Sequence, residues 1–232
     1  MAAPNHRRRR RRSTDPGSGW VFSELHLPRP LKPEQVDVML LRLAADRAAP
    51  PLVFEARAEG GQLVRHLVGT PAEHIVWVQR TLRHLLPGLE IDGVAMAERQ
   101  PVRRSVRLRM RPRAFALATD RAEVVSLAVL SSLDARLEDG ERLVLQILLG
   151  RRVLPKHLSK EIPDPTQPVW QVVLQGEMAA SKLLRDQIDT RTGQHGFATT
   201  VRIGVTANTP ERRQQLVIGV LGALSTAVDR GS

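Results

Sequence analysis

Hydrophobic residues in this chain switch repeatedly between a period of two and a period of about 3.6, and that switching limits the folds open to it. Trp20 to Leu27 alternates and stops at Pro28-Arg29-Pro30, which reads as a short strand. Pro33 suits the first position of a helix, and Val36, Met39, Leu40 and Leu43 give that helix one apolar side to about Ala48. Pro50-Pro51 ends it. Leu52–Ala58 and Leu63–Gly69 alternate on either side of Gly60-Gly61, the pattern of a β-hairpin. Thr70, Pro71 and Glu73 have the spacing of a capping box, with Ile75, Val78, Leu82, Leu85 and Leu86 behind it. Pro87-Gly88 closes that helix, and Leu89–Val94 can be a last strand. The order strand, helix, strand, strand, helix, strand is that of the ferredoxin-like split β-α-β unit.

The second half repeats the order. Val106, Leu108 and Met110 alternate with Arg107, Arg109 and Arg111. Asp120 stands before a helix with Val124, Leu127, Leu130, Leu133 and Leu137. Arg142–Leu149 is apolar on both faces, as a central strand would be. Phe197–Ala207 follows as a strand, and Asn208-Thr209-Pro210-Glu211 starts a helix. The corners Gly69-Thr70-Pro71 and Asn208-Thr209-Pro210 match in chemistry and in place, which predicts an internal duplication. The expected architecture is α+β: two ferredoxin-like units in tandem, over 20–98 and 99–232. The second carries an insertion at about 151–195, with a short strand near Val169–Leu174 and a helix near Met178–Thr192. It also lacks its final strand, since the sequence stops at Ser232 where that strand would begin. The edge left by 196–206, or by its neighbour, is then expected to pair with another chain or with a continuation of this one.

Composition removes several kinds of chemistry. There is no cysteine, so no disulfide, thiolate zinc site or iron–sulfur cluster can form. There is no tyrosine, and aromatics make up 3%, which supplies an aromatic base-stacking platform poorly. None of the four lysines lies in a Walker A loop, and neither a Gly-x-Gly-x-x-Gly nor a Gly-x-Ser-x-Gly motif occurs. No histidine pair falls at i, i+4 on a helix, and Asp186 and Asp189 read as a solvated face beside Arg185 and Arg191. The expectation is a chain with no catalytic residues, no metal and no cofactor. Trp77 and Trp170 read as packing residues.

The net charge of +11 is concentrated in part at the start, where Arg7 to Arg12 face Asp15 alone within a basic tail over residues 1–19. That run can meet anionic lipid peripherally, or nucleic acid, and no apolar stretch is long enough to span a bilayer. The expected location is the cytoplasm, at the inner face of the membrane if the tail binds lipid. The row Arg103, Arg107, Arg109, Arg111 and Arg113 is the candidate binding site. Alternate strand residues stand about 6.6–6.8 Å apart, a spacing that suits successive phosphates. The other reading of the row is an exposed strand face whose arginines lie over neighbouring carboxylates.

Several segments resemble one family. The run from Gly196 to Ala227 (GFATTVRIGVTANTPERRQQLVIGVLGALSTA) is similar to the segment preceding the ATPase core of actinobacterial conjugative DNA-transfer proteins, the type IV secretory coupling-protein-like ATPases. Arg109-Met-Arg-Pro, Asp139-Gly-Glu-Arg-Leu-Val-Leu-Gln-Ile-Leu-Leu-Gly and Asp164-Pro-Thr-Gln-Pro resemble upstream segments of that family. The resemblance covers about residues 20–228 and rests on structural motifs, none of them catalytic. In that family a non-catalytic front region leads into a hexameric P-loop motor. This sequence departs from the pattern in having no Walker motif and no membrane segment, and it ends where the family's chain runs on toward the nucleotide site. The resemblance therefore implies an assembly or docking module, truncated or split from its motor. Its partner is expected to be a P-loop transfer ATPase or a second copy of itself. The alternative expectation is a stand-alone basic adaptor for nucleic acid.

Overall fold

The computed structural model describes residues 19–94, 99–108, 122–134, 137–156 and 193–226, with Gln167, Leu174, Asp189 and Thr192. They form mixed α+β structure with a seven-stranded antiparallel sheet and four α-helices. In chain order these are β1 (Trp20–His26), α1 (Pro33–Ala45), β2 (Leu52–Glu59), β3 (Arg65–Pro71), α2 (Ile75–Leu85), β4 (Glu90–Val94), β5 (Arg104–Arg107), α3 (Ala122–Leu133), β6 (Arg142–Val153), β7 (Gly196–Thr206) and α4 (Pro210–Ser225). The strands lie side by side as β4-β1-β3-β2-β6-β7-β5. The halves of the chain meet where β2 pairs with β6, from Leu52 opposite Leu149 to Glu59 opposite Arg142.

Period-two alternation divides every strand between two faces. On one face lie two apolar cores. Leu25, Val68, Leu52 and Ile91 pack against Met39 and Leu43 of α1 and Val78 and Leu82 of α2. Leu143, Leu145, Ile203 and Val205 pack against Val129 and Leu133 of α3 and Leu216 and Val220 of α4. The other face has a small core of Phe22, Val53, Leu67 and Leu148. β4 and β5 occupy opposite edges of the sheet, so the chain between them has to cross it. Residues 99–102 lie on this second face: the Arg99 guanidinium sits 3.7 Å above the Phe22 ring, and Arg57 donates to the Gln100 carbonyl at 2.9 Å. Two strand glycines make room for this layer. A Cβ at Gly69 would come within 2.5 Å of the Phe22 ring, and one at Gly204 within 2.7 Å of Val102.

The two Thr-Pro corners are not equivalent, which corrects the expected match. Thr209 is a true N-cap: its hydroxyl accepts from the Arg212 amide at 3.2 Å, and Pro210 opens α4. Thr70 caps nothing. β3 runs on through Pro71, with Val21 opposite Thr70 and Trp20 opposite Pro71. The buried Thr70 hydroxyl donates to the Pro51 carbonyl at 3.1 Å, and one turn of 3-10 helix (Ala72–His74) leads into α2. Ladder pairing with β1 outweighs the local capping signal. β6 is central, and Leu143–Leu145 and Leu148–Leu149 are buried on both faces, as its composition suggests, while Ile147 between them is exposed. β7 is paired on both sides, so the edge strand is its neighbour β5. Leu174, in the stretch expected to be a strand, is helical. Trp77 packs on the α1–α2 core, not between the halves. Asp120, Trp170 and most of the insertion, with residues 1–18, lie outside the described residues.

Candidate functional site

All four residues of β5 are exposed. Arg104 stands opposite Val205 and Val106 opposite Ile203, while the Leu108 amide donates to the Val201 carbonyl at 2.9 Å. In an antiparallel ladder the direction of the main-chain groups alternates. Arg104, Val106 and Leu108 therefore turn theirs toward β7, and Ser105 and Arg107 turn theirs outward, beyond the last strand of the sheet. Arg103 precedes the strand and is anchored by its amide, which donates to the Thr206 hydroxyl at 3.0 Å. The Arg107 guanidinium donates to Thr200 Oγ1 at 3.2 Å.

The expected arginine row is thus present in part. Arg103 and Arg107 lie at this edge, joined by Arg104, which faces the helix side with Val205. Arg109, Arg111 and Arg113 lie outside the described residues. Among the described residues, no carboxylate makes an ion pair with Arg103, Arg104 or Arg107.

A line of residues across the second face connects this edge with the rest of the sheet. Successive strands place Asp92, Glu24, Leu67, Glu55, Gln146, Arg202 and Arg107 opposite one another. The line is acidic at the β4 end and basic at the β5 end. At its centre Glu55, 2% exposed, accepts from Arg57 Nε at 2.8 Å, Arg99 at 2.7 Å and Gln146 Nε2 at 2.6 Å. Arg57 also donates to Glu59 at 2.8 Å, and Arg142 donates to the Gln100 side chain at 3.2 Å. Burial alone would raise the Glu55 carboxyl. The hydrogen bond and charge of Arg99, then the Arg57 charge and the Gln146 hydrogen bond, outweigh burial and hold it below the usual carboxylate range. A second buried carboxylate, Glu141, is also pulled down against its burial, by the Arg212 guanidinium at 3.0 Å and the Glu138 amide at 3.0 Å. That pair ties the start of β6 to the first turn of α4.

This charged layer was not read from the sequence, although a signal existed. Glu55 and Arg57 interrupt the otherwise apolar run Leu52–Ala58, and charges that such a run buries need partners. Arg99 had no signal, because its role depends on the chain crossing the sheet.

The helix-side face holds an open apolar groove of about 300 Å³, lined by Val36, Met39, Leu40, Phe54, His66 and Ile147 among others. Burial lowers the His66 imidazole from its ordinary value against the opposing charge of Glu24, so it lines the groove in the neutral form at neutral pH. Among the described residues, no group of three or more His, Asp or Glu could hold a metal ion, and no helix is long and apolar enough to cross a membrane. Comparison with protein-family models, with curated proteins and with solved structures finds no match.

Proposed function

We propose that this chain is a non-catalytic assembly module: two ferredoxin-like units fused edge to edge through β2 and β6, the second presenting an incomplete edge for docking. The observation that carries the reading is strand order. The first half lies as β4-β1-β3-β2, with helices after β1 and β3, which is the order of a split β-α-β unit. The second half lies as β5-β7-β6 with helices after β5 and β7, the same order with the fourth place unfilled among the described residues. The module offers a partner a rigid sheet and an open strand.

The partner class comes from the sequence resemblance. It is a P-loop ATPase of the conjugative DNA-transfer kind, met on the cytoplasmic side of the membrane, with Arg7–Arg12 available for contact with anionic lipid. Co-expression of the full chain with a P-loop transfer ATPase encoded beside it tests this. A complex that survives affinity purification and gel filtration is the expected result, and two separately eluting proteins would contradict it. The second reading, a basic adaptor for nucleic acid, is favoured by Arg103, Arg104 and Arg107, which make no ion pair among the described residues. It requires an affinity for DNA or RNA that falls steeply between about 50 and 200 mM salt, as phosphate contacts do.

A further inference from the structure

We infer that the outer edge of β5 receives an extended segment with acidic residues at alternate positions, added to the sheet by main-chain pairing and donated by the docking partner. The inference rests on the docking reading and specifies its contact. The two edges of the sheet differ in a way that selects β5. On β4 the outward Ile91 carbonyl is already taken by the Arg83 guanidinium at 2.9 Å, so a side chain of α2 occupies part of that edge. On β5 no described residue bonds the outward main-chain groups of Ser105 and Arg107. An added strand would satisfy them, as β-augmentation does elsewhere.

Charge selects the occupant. Arg103, Arg104 and Arg107 stand at the edge, Arg107 on the second face and Arg104 on the helix side. Carboxylates at alternate positions of an added strand share one face, so they would meet Arg107 in one register and Arg104 in the other, and either is favoured over a strand of like charge. A second copy offering its own β5 would set arginine against arginine. A second copy offering β4 would bring Glu90 and Asp92, but along an edge where Arg83 already holds the Ile91 carbonyl. An acidic segment of a different chain fits best. Nucleic acid would meet the guanidiniums and leave the main-chain groups of Ser105 and Arg107 unpaired.

The test uses the full chain and two short fluorescein-labelled peptides, one of alternating Thr and Glu, the other of alternating Thr and Lys. The Thr–Glu peptide is expected to bind with salt-sensitive affinity and the Thr–Lys peptide not to bind. Ser105→Pro removes an outward N–H that β7 does not use, a change edge strands tolerate. It should weaken Thr–Glu binding by about tenfold or more, with an unchanged circular dichroism spectrum. The double variant R104E/R107E should reverse the peptide preference, and it decides the question alone if the proline variant fails to fold. Equal binding of the Thr–Glu peptide to wild type and Ser105→Pro, or none to wild type, overturns the inference. So does oligo(dT) binding that Ser105→Pro leaves intact and the Glu variant abolishes, because it assigns the arginines to phosphate. If the ATPase still co-purifies with both variants, the edge assignment fails while the docking reading stands. If it never co-purifies with wild type, the docking reading fails and the peptide result stands by itself.

Discussion

Glu55→Ala is expected to cost about 3–5 kcal/mol of folding stability, the range for removing one partner of a buried ion cluster. The cost lies in what remains. Arg57, 2% exposed, keeps Glu59 and the Gln100 carbonyl but loses its Nε partner, and Arg99 loses its carboxylate over the Phe22 ring. Gln146 loses its acceptor as well. Because Arg99 and Gln100 belong to the strap between β4 and β5, that crossing should loosen, and faster amide exchange at residues 99–103 is the local readout. The same carboxylate sets a pH dependence. Its folded value lies below the ordinary 4.5, so the unfolded chain binds more protons in the acid range. The stability it contributes is fully present above about 4.5 and is lost as pH falls through the depressed folded value. Glu141, held down by Arg212, acts in the same direction. Urea midpoints at pH 7 and pH 3 should therefore differ less for Glu55→Gln than for wild type. An equal or larger difference in the variant would show that Glu55 does not carry the acid sensitivity.

Leu133→Ala is the second large effect, about 2–5 kcal/mol. Leu133 is fully buried, and with Val129 it is the part of α3 seated most deeply against Leu143, Ile203 and the α4 residues Leu216 and Val220. The first core has more anchors, in Met39, Leu43, Val78, Leu82 and Leu86. Loss of Leu133 should therefore release α3 and α4 before α1 and α2, visible as early amide exchange in α4. Leu130→Ala, one residue position away from the same core on the exposed side of α3, should cost less than about 1 kcal/mol. Similar costs for the two alanine variants would contradict the seating of α3.

Local patterns in the chain carried much of the fold. The hairpin around Gly61, whose φ is +74°, follows from its turn residues, and Thr209-Pro210 caps α4 by side-chain chemistry alone. Thr70-Pro71 has the same local chemistry and a different outcome, because β1 pairs with β3 through Thr70 and Pro71 and draws them into the ladder. The two-faced apolar character of Arg142–Leu149 marks β6 as central without naming its neighbours. Pairing with β2 is a register between strands some ninety residues apart, as Glu55 and Gln146 illustrate, and no local period encodes it. The arginine row was visible as alternation, whereas its position at an open edge follows from sheet order. The Glu55–Arg57–Arg99 layer needed the crossing strap to be understood at all.

The β2–β6 seam decides whether the two halves form one sheet, and disulfide trapping reports on it without interference because the chain has no cysteine. Gly60 donates to the Glu141 carbonyl at 3.1 Å, which makes Glu59 and Arg142, the adjacent pair, a non-hydrogen-bonded one. Such a pair brings its Cα atoms to about 4.5 Å, within the range that a disulfide spans. On mild oxidation E59C/R142C should close an intramolecular disulfide in nearly every chain, while E59C/L143C, whose second cysteine points to the opposite face, should stay reduced. Free thiols in E59C/R142C, or links only between separate chains, would contradict a sheet that runs unbroken from β4 to β5.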